Sequence, residues 1–441
     1  MKRIYPAHAY GPAPRAHCYW PATADAPDRP AAQGRLFCDV AVIGAGFTGL
    51  SAALHLAQAG ADVIVLEAEG PGWGASGRNG GFCCLGGAAA GDTVLRRLYG
   101  DAARAEFRQT ERAAIDTART LIDRHGIACD VHSRGETLMA HTPRAFAGFE
   151  RRARRIEADY GLAPEIIPAG DLAAQGMAGP FHGAMTTPAG FALNPLKYSL
   201  GLAQAAAAAG ARIFGHSPVV RIDGQSGFML HTPAAQVSAR RLIVATNGYS
   251  SDDLPRWMRG RYLPTQSNVI VTRTLGADEI AAQGWSKRQM CYDDRFLLHY
   301  FRLMPNGRML FGMRGGLGSS PASDAAMHRT IRAHFETMFP AWAHVDTPYS
   351  WHGLLSISCD LTPFAGPIPE MPGAFAALSY HGNGVAMASH AGAILADLAR
   401  GAPVRPLYPA IMRRPPRRFP LGRFRRAHLL PLYAGAALSG G

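Results

Sequence analysis

The chain has 441 residues, 48% of them hydrophobic, and a formal net charge of +13. Its length fits two domains and its composition a sizeable globular core. No apolar run approaches the ~18 residues of a membrane span and the start lacks the apolar core of a signal peptide, so a cytoplasmic protein is expected. Seven cysteines with no Cys-x-x-Cys pair argue against a disulfide framework and a zinc site, and no metal is expected.

Residues 1–37, rich in Ala and Pro, read as an extended arm. "DVAVI" then reads as a buried strand. Gly44, Gly46 and Gly49 follow as Gly-x-Gly-x-x-Gly, and Leu50, Ala53, Leu54 and Ala57 recur at helical spacing. Gly60 sits where a helix C′ residue belongs, and "DVIVLE" is a second strand ending on Glu67. This strand–loop–helix–strand–acid unit is the dinucleotide-binding arrangement. Gly44 permits the tight turn, Gly46 the approach of a pyrophosphate to main chain, and Gly49 close packing of helix on strand. The helix N-terminus offers free N–H groups and a partial positive charge. The Glu67 carboxylate accepts from ribose hydroxyls and repels a 2′-phosphate, which disfavours NADP.

"EGPGWGASGRNGGFCCLGG" follows, bare enough for the chain to cross over a bound pyrophosphate, with Ser76, Arg78 and Asn79 as donors. Residues 91–175 read as helical, broken by a strand at "ETLMAHT". Asn194-Pro195 opens another helix, Asn as cap and Pro at the first helical position. "RIFGHSPVVRIDGQSGFMLHT" reads as strand, turn, strand, and "RRLIVATNGYSSD" as a buried strand ending in Ala245-Thr246-Asn247. Between Tyr262 and Trp351 the alternating runs "SNVIVTRTL", "FLLHYFRLM" and "RMLFGMRGG" predict an antiparallel sheet, with a hairpin at Asn306-Gly307. "AALSYHGNGVAMASHAGAILADLARG" then gives a strand, a glycine loop and a second helix N-terminus. A nicotinamide enzyme has no use for it. A flavin has, because reduction places negative charge near N1 and O2, where a helix dipole stabilises it.

Together these segments, with "LEA", "GWGASGRNGG", "VATNGY" and "HGNGVAMASHAGAILADL", resemble the D-amino acid oxidase superfamily of FAD-dependent oxidoreductases, and within it the gamma-glutamylputrescine oxidoreductase-like group, over about Tyr19 to Arg400. The resemblance implies an α/β fold: a Rossmann-like FAD-binding domain (38–90, 181–250 and 352–404) interleaved with an antiparallel-sheet substrate domain (91–180 and 251–351), the arm before it and a tail at 405–441 after it. It implies oxidation of the C–N bond of an amine or amino acid by hydride transfer to flavin N5. Gly44, Ala45, Gly46, Phe47, Thr48 and Gly49 would hold pyrophosphate, and Glu67 with Ala68 the ribose. Gly74, Ala75, Ser76, Arg78, Asn79, Gly80 and Gly81 would run from phosphate to flavin. Val219 or Val220 would meet adenine, Ala245, Thr246 and Asn247 would close the pocket, and His381, Gly382, Asn383, Gly384 and Val385 would reach the ring. Some relatives tether FAD through a cysteine. Here Cys359, beside Asp360, is out of register for that, so non-covalent FAD is expected.

Hydride transfer needs an amine held ~3–3.5 Å from N5 in an aromatic-walled site. Strand alternation puts Tyr300 and Arg302 on one face, Tyr300 as a wall and Arg302 as an anchor for a carboxylate, or else in an ion pair with Asp293 or Asp294. Trp351 and His381 are further candidates. The reductant is the organic substrate, since no second dinucleotide unit with an acid follows. The electrons leave to oxygen or a carrier, and of three lysines only Lys287 falls in the substrate part.

The tail carries eight arginines and no acid, eight of the thirteen net charges. It reads as a solvated arm over the protein's own surface, against an anionic membrane surface or nucleic acid. Two other functions stay open: a flavin domain in tRNA modification with an RNA-binding tail, disfavoured by the absence of a recognisable RNA module, and a flavin subunit of a larger dehydrogenase.

Overall fold

The structure, a computed structural model, describes residues 1–224 and 227–438. Strand β1 (Gly34–Ile43) lies between β2 (Val63–Leu66) and Ala235–Val244, parallel to both, with Val42 opposite Val65 and Ile243. Arg212–Phe214 extends this sheet beyond β2, and Ala374–Leu378 with Phe364–Pro367 extends it on the other side. All four residues of β2 and the last four of β1 are buried, as expected of strands covered on both faces. Helix α1 (Phe47–Gln58) packs on the sheet beside the later helix Gly384–Arg400. The periodic face at Leu50, Ala53, Leu54 and Ala57 is buried, but so is most of the rest of α1, because that second helix covers its other side. Gly60 ends α1 in the left-handed region at φ 83°.

The second sheet has eight strands in the order 349–357, 263–271, 309–314, 299–303, 290–293, 136–139, 183–187 and 165–168. Every neighbouring pair is antiparallel except Met290–Asp293 with Glu136–Met139. The Asn306-Gly307 hairpin forms, with Gly307 at φ 74°, and Asn194 caps the helix Pro195–Ala208 by accepting from the Lys197 N–H at 3.2 Å.

Three features depart from the sequence reading. Strand Gly183–Thr187, placed at 181–250 with the dinucleotide part, pairs in the second sheet, and Tyr349–Ile357 runs across the 351/352 boundary. The first 37 residues are no extended arm: Tyr5, Tyr10, Tyr19 and Trp20 are buried, and β1 begins at Gly34. Ala/Pro composition disguised four aromatic anchors, and the Trp20 indole N–H donates to Asn79 O at 2.9 Å. Nor is the tail simply solvated. Arg405 pairs with Asp397, Arg417 with Asp360, and Arg425, fully buried, with Asp252. The acids that hold them lie 8, 57 and 173 residues upstream, so charge counting within the segment does not reveal them. Among the described residues no helix is long and apolar enough to cross a membrane.

Candidate active site

A cavity of about 1060 Å³ opens at the C-terminal ends of β1, β2 and Ala235–Val244, with Ile43, Leu66 and Ala245 at its edge, and continues beneath the second sheet. Gly44, Ala45, Gly46, Phe47 and Thr48 line it. Gly44 turns there at φ 103°. Gly49 does not line it. A Cβ at Gly49 would lie 1.9 Å from Gly44 O, so this glycine lets the helix close onto the loop. No side chain caps α1 from its N-cap position, and Phe47 N–H donates to Ser76 Oγ at 3.0 Å. The Glu67 carboxylate accepts from Ala45 N–H at 2.7 Å and Glu69 N–H at 3.1 Å, and burial pushes its pKa up. Ala68 and Val219 also line this end. Val220 does not: it is 52% exposed, and its N–H donates to His231 O. Ala245, Thr246 and Asn247 lie on the wall, with Asn247 Oδ1 accepting from Ser379 N–H at 2.9 Å.

The glycine-rich crossover brings Gly74, Ala75, Ser76, Arg78, Asn79 and Gly80 to the cavity. Arg78, 2% exposed, donates from Nε to Trp73 O at 2.8 Å and lies over the Trp73 ring at 4.1 Å. Its Nη2 is buried with no hydrogen-bond partner among the described residues. Asn79 is not a free donor. Its amide bonds Ala75 O and Ser76 O and its oxygen accepts from Gly81 N–H, so it shapes the loop. Gly81 is off the wall, because its backbone runs against Leu193 O, 1.9 Å from where a Cβ would be. Gly80 is bare for another reason: a Cβ there would stand 2.7 Å from the ring of Tyr300.

Tyr300 lines the cavity as expected, its hydroxyl 2.8 Å from Ser267 Oγ. Arg302 does not. The face that carries Tyr300 continues past the cavity edge and under the crossover, where Arg302 is buried, donating to Leu193 O at 2.7 Å and standing 3.0 Å from His132 Nε2. Burial pushes its pKa down to about 9. The expected ion pair with Asp293 or Asp294 is absent too: Asp293 pairs with Arg295 and His299, and Asp294 with His141. The cation that the second sheet does bring to the cavity wall is Arg314, at the end of the neighbouring strand, donating to His381 O at 3.3 Å. The run "RMLFGMRGG" carries it, and its alternation was the available signal. Trp351 sits behind the wall, with its indole N–H on Arg78 O at 2.7 Å and its ring against Trp20.

Gly382, Asn383, Gly384 and Val385 present a second uncapped helix N-terminus to the same cavity. His381 lines it, but its ring faces inward. Nδ1 lies 2.8 Å from Gly87 O, and Nε2 accepts from Ser358 N–H at 3.3 Å. Burial holds its pKa down to about 4, so it is neutral in the physiological range and braces the loop rather than exchanging protons. Lys287 and Cys359 are both off the wall, and Lys287 Nζ reaches only Gln175 Oε1 at 3.5 Å.

Two helix N-termini, a buried guanidinium nitrogen without a partner and a carboxylate at the end of β2, all on one cavity, suit a dinucleotide carrying phosphates at one end and a reducible ring at the other. A family model, the FAD dependent oxidoreductase (DAO), matches residues 39–398. The chain belongs to this family. It is an FAD-dependent oxidoreductase. It is 31% identical over 388 residues to gamma-glutamylputrescine oxidoreductase of Escherichia coli (strain K12), covering 88% of each chain. It is 32% identical over 373 residues to the probable oxidoreductase OrdL of Haemophilus influenzae, covering 82% of this chain and 83% of that one. Among solved structures, glycine oxidase from Geobacillus kaustophilus superposes with a TM-score of 0.67 at 21% identity, over 84% of this chain and 96% of that one, and iminodiacetate oxidase from Chelativorans sp. BNC1 with 0.68 at 18%, over 83% and 96%. The fold is thus that of known flavoenzymes.

Proposed function

We propose that the enzyme oxidises the C–N bond of an amine or amino acid, with non-covalent FAD in the long cavity described above and a γ-glutamyl amine or related amine as substrate. The observation that carries this reading is the double dipole, α1 and the helix Gly384–Arg400 both opening their N-termini onto the cavity, with Tyr300 on the sheet that covers it. The start of α1, Ser76 and the free Arg78 Nη2 would hold the pyrophosphate, Glu67 the adenosine ribose, and Val219 the adenine. Gly382 to Val385 would meet the isoalloxazine ring. When bound, FAD accepts a hydride from the carbon attached to the amine nitrogen. The protein's part is to present that amine unprotonated and exclude water. Tyr300, Phe82 and Leu298 give the covering wall, and neutral His381 keeps the ring loop in place without adding charge. The imine product leaves for hydrolysis, and oxygen or a carrier takes the electrons. Cys359, away from the cavity, supports non-covalent binding. The first sheet and its helices form the cofactor part and the second sheet the substrate part of a cytoplasmic enzyme. The pairing of Arg405, Arg417 and Arg425 with the chain's own Asp397, Asp360 and Asp252 favours this reading over an RNA-binding tail.

The test is anaerobic mixing of the yellow holoenzyme with γ-glutamyl amines, polyamines, D-amino acids and N-methyl amino acids. At least one class is expected to bleach the flavin band with one equivalent of substrate. No bleaching by any of them would sink the amine assignment.

A further inference from the structure

The cavity extends into a lobe under the strands Met290–Asp293 and Glu136–Met139, with Asp92, Glu111, Glu136, Asp159 and Tyr292 on its lining. Acids crowd this lobe, and all but one are paired. Asp92 bonds Arg104 and Arg108, Asp159 bonds Arg104, and Glu111 bonds Arg108 and the Tyr160 hydroxyl. Glu136 is different. It is 8% exposed, lines the cavity, and forms no ion pair among the described residues. The groups that face it are the Cys84 thiol on the crossover, the Arg152 guanidinium and the Glu111 carboxylate, which act through space, and the Tyr292 hydroxyl. A buried carboxylate without a cation is costly to keep, and burial pushes its pKa up to about 7.

Its place in the sheet says what it is aimed at. Tyr300 pairs with Tyr292, Tyr292 with Leu138, and Glu136 lies two residues along from Leu138, so all four point to one face. Two strand spacings, ~10 Å, separate the strand of Tyr300 from that of Glu136. We propose that Glu136 is a specificity-determining residue that seats a second ammonium group of the substrate, remote from the C–N bond that is oxidised. The substrates are then elongated amines with two positive nitrogens, such as diamines and aminoacyl amides of diamines, rather than simple α-amino acids. This rests on the reading of the cavity as an amine-oxidising site.

The test compares wild-type holoenzyme with Glu136→Gln on two amines that carry two ammonium groups, 1,4-diaminobutane and its mono-γ-glutamyl amide (which also bears a carboxylate), and two that carry one, butylamine and N-acetyl-1,4-diaminobutane. Wild type should favour the first pair in kcat/KM, and Glu136→Gln should lose about 10- to 100-fold on them, chiefly in KM, as expected for one charge-assisted contact. The second pair should change less than about twofold. A second readout needs no turnover: a bis-amine with no hydrogen on the carbons next to nitrogen is titrated against the flavin absorption spectrum. Its affinity should rise more steeply from pH 6 to pH 8 in wild type, where Glu136 loses its proton, than in the variant, where only the ionisation of the amine itself contributes. Because a carboxyl with a raised folded pKa lowers stability above that pKa, Glu136→Gln should melt no lower than wild type at pH 8, so misfolding does not mimic the result. Equal losses on all four amines, or wild-type affinity for the bis-amine in the variant, would overturn the proposal. Failure of every amine to bleach the flavin would instead strike the amine-oxidising reading, and the bis-amine titration would still decide on Glu136.

Discussion

Gly49→Ala protein is expected to purify colourless and to take up added FAD at least ~100-fold more weakly than wild type, a loss of about 2.7 kcal/mol or more. A methyl at this position would meet Gly44 O at 1.9 Å and Val42 Cγ1 at 3.2 Å. Neither neighbour can give way. Gly44 is itself fixed at φ 103°, its N–H on Leu66 O at 2.9 Å, with Ala245 O packed 2.9 Å from its own Cβ direction. Relief therefore requires α1 to move off the loop, and with it the N–H groups that point into the cavity. Gly60→Ala is the control. Gly60 also has positive φ, but nothing lies within 4 Å of its Cβ direction and it is far from the cavity, so that variant should lose about 1 kcal/mol and stay yellow. Flavin absorbance per protein after gel filtration reads both. A yellow Gly49→Ala protein with wild-type affinity would contradict the packing argument.

The second large effect is in the tail. Arg425→Ala should destabilise by about 3–5 kcal/mol, the range for a buried ion pair that loses one partner. The guanidinium is fully buried, donates to Tyr262 O at 2.7 Å and makes two bonds to Asp252, at 2.7 and 3.0 Å. Its removal leaves Asp252, 11% exposed, without its cation. At about 2.1 cal/mol/K per residue of unfolding entropy this is a melting-temperature drop of roughly 3–5 °C for a chain of this length. Arg423→Ala, whose side chain is exposed over the exposed Phe424, should change Tm by less than about 1 °C. The contrast separates a docked tail from a solvated basic arm. In the arm all eight arginines would be equivalent, and neither substitution would shift the melt.

The strand–loop–helix–strand unit at the cofactor end was legible in the sequence, because local rules determine it. A glycine spacing, a helix face and an acid at the end of the next strand all lie within thirty residues. The substrate end was legible only in part. Alternation placed Tyr300 and Arg302 on one face correctly, but not where the cavity stops along that face, which Gly80, Gly81 and Leu193 decide from elsewhere in the chain. Arg314 lay unread at the end of a run that had been recognised as a strand. Glu136 stood in a predicted strand and gave no sign of being alone, since what marks it is the pairing of its neighbours Asp92, Glu111 and Asp159 with other residues. The N-terminal arm and the tail misled for one reason. Composition described them as loose, while their partners, Asn79 for Trp20 and Asp252 for Arg425, are remote in sequence.

A crystal structure of the yellow holoenzyme tests the central claim most directly. The account predicts FAD along this cavity, its diphosphate against Gly44 to Thr48 and Arg78, its ribose on Glu67 and its tricyclic ring at Gly382 to Gly384 under Tyr300. A diphosphate bound away from α1, a nicotinamide where the ring should be, or a ring far from the start of the helix Gly384–Arg400 would contradict it.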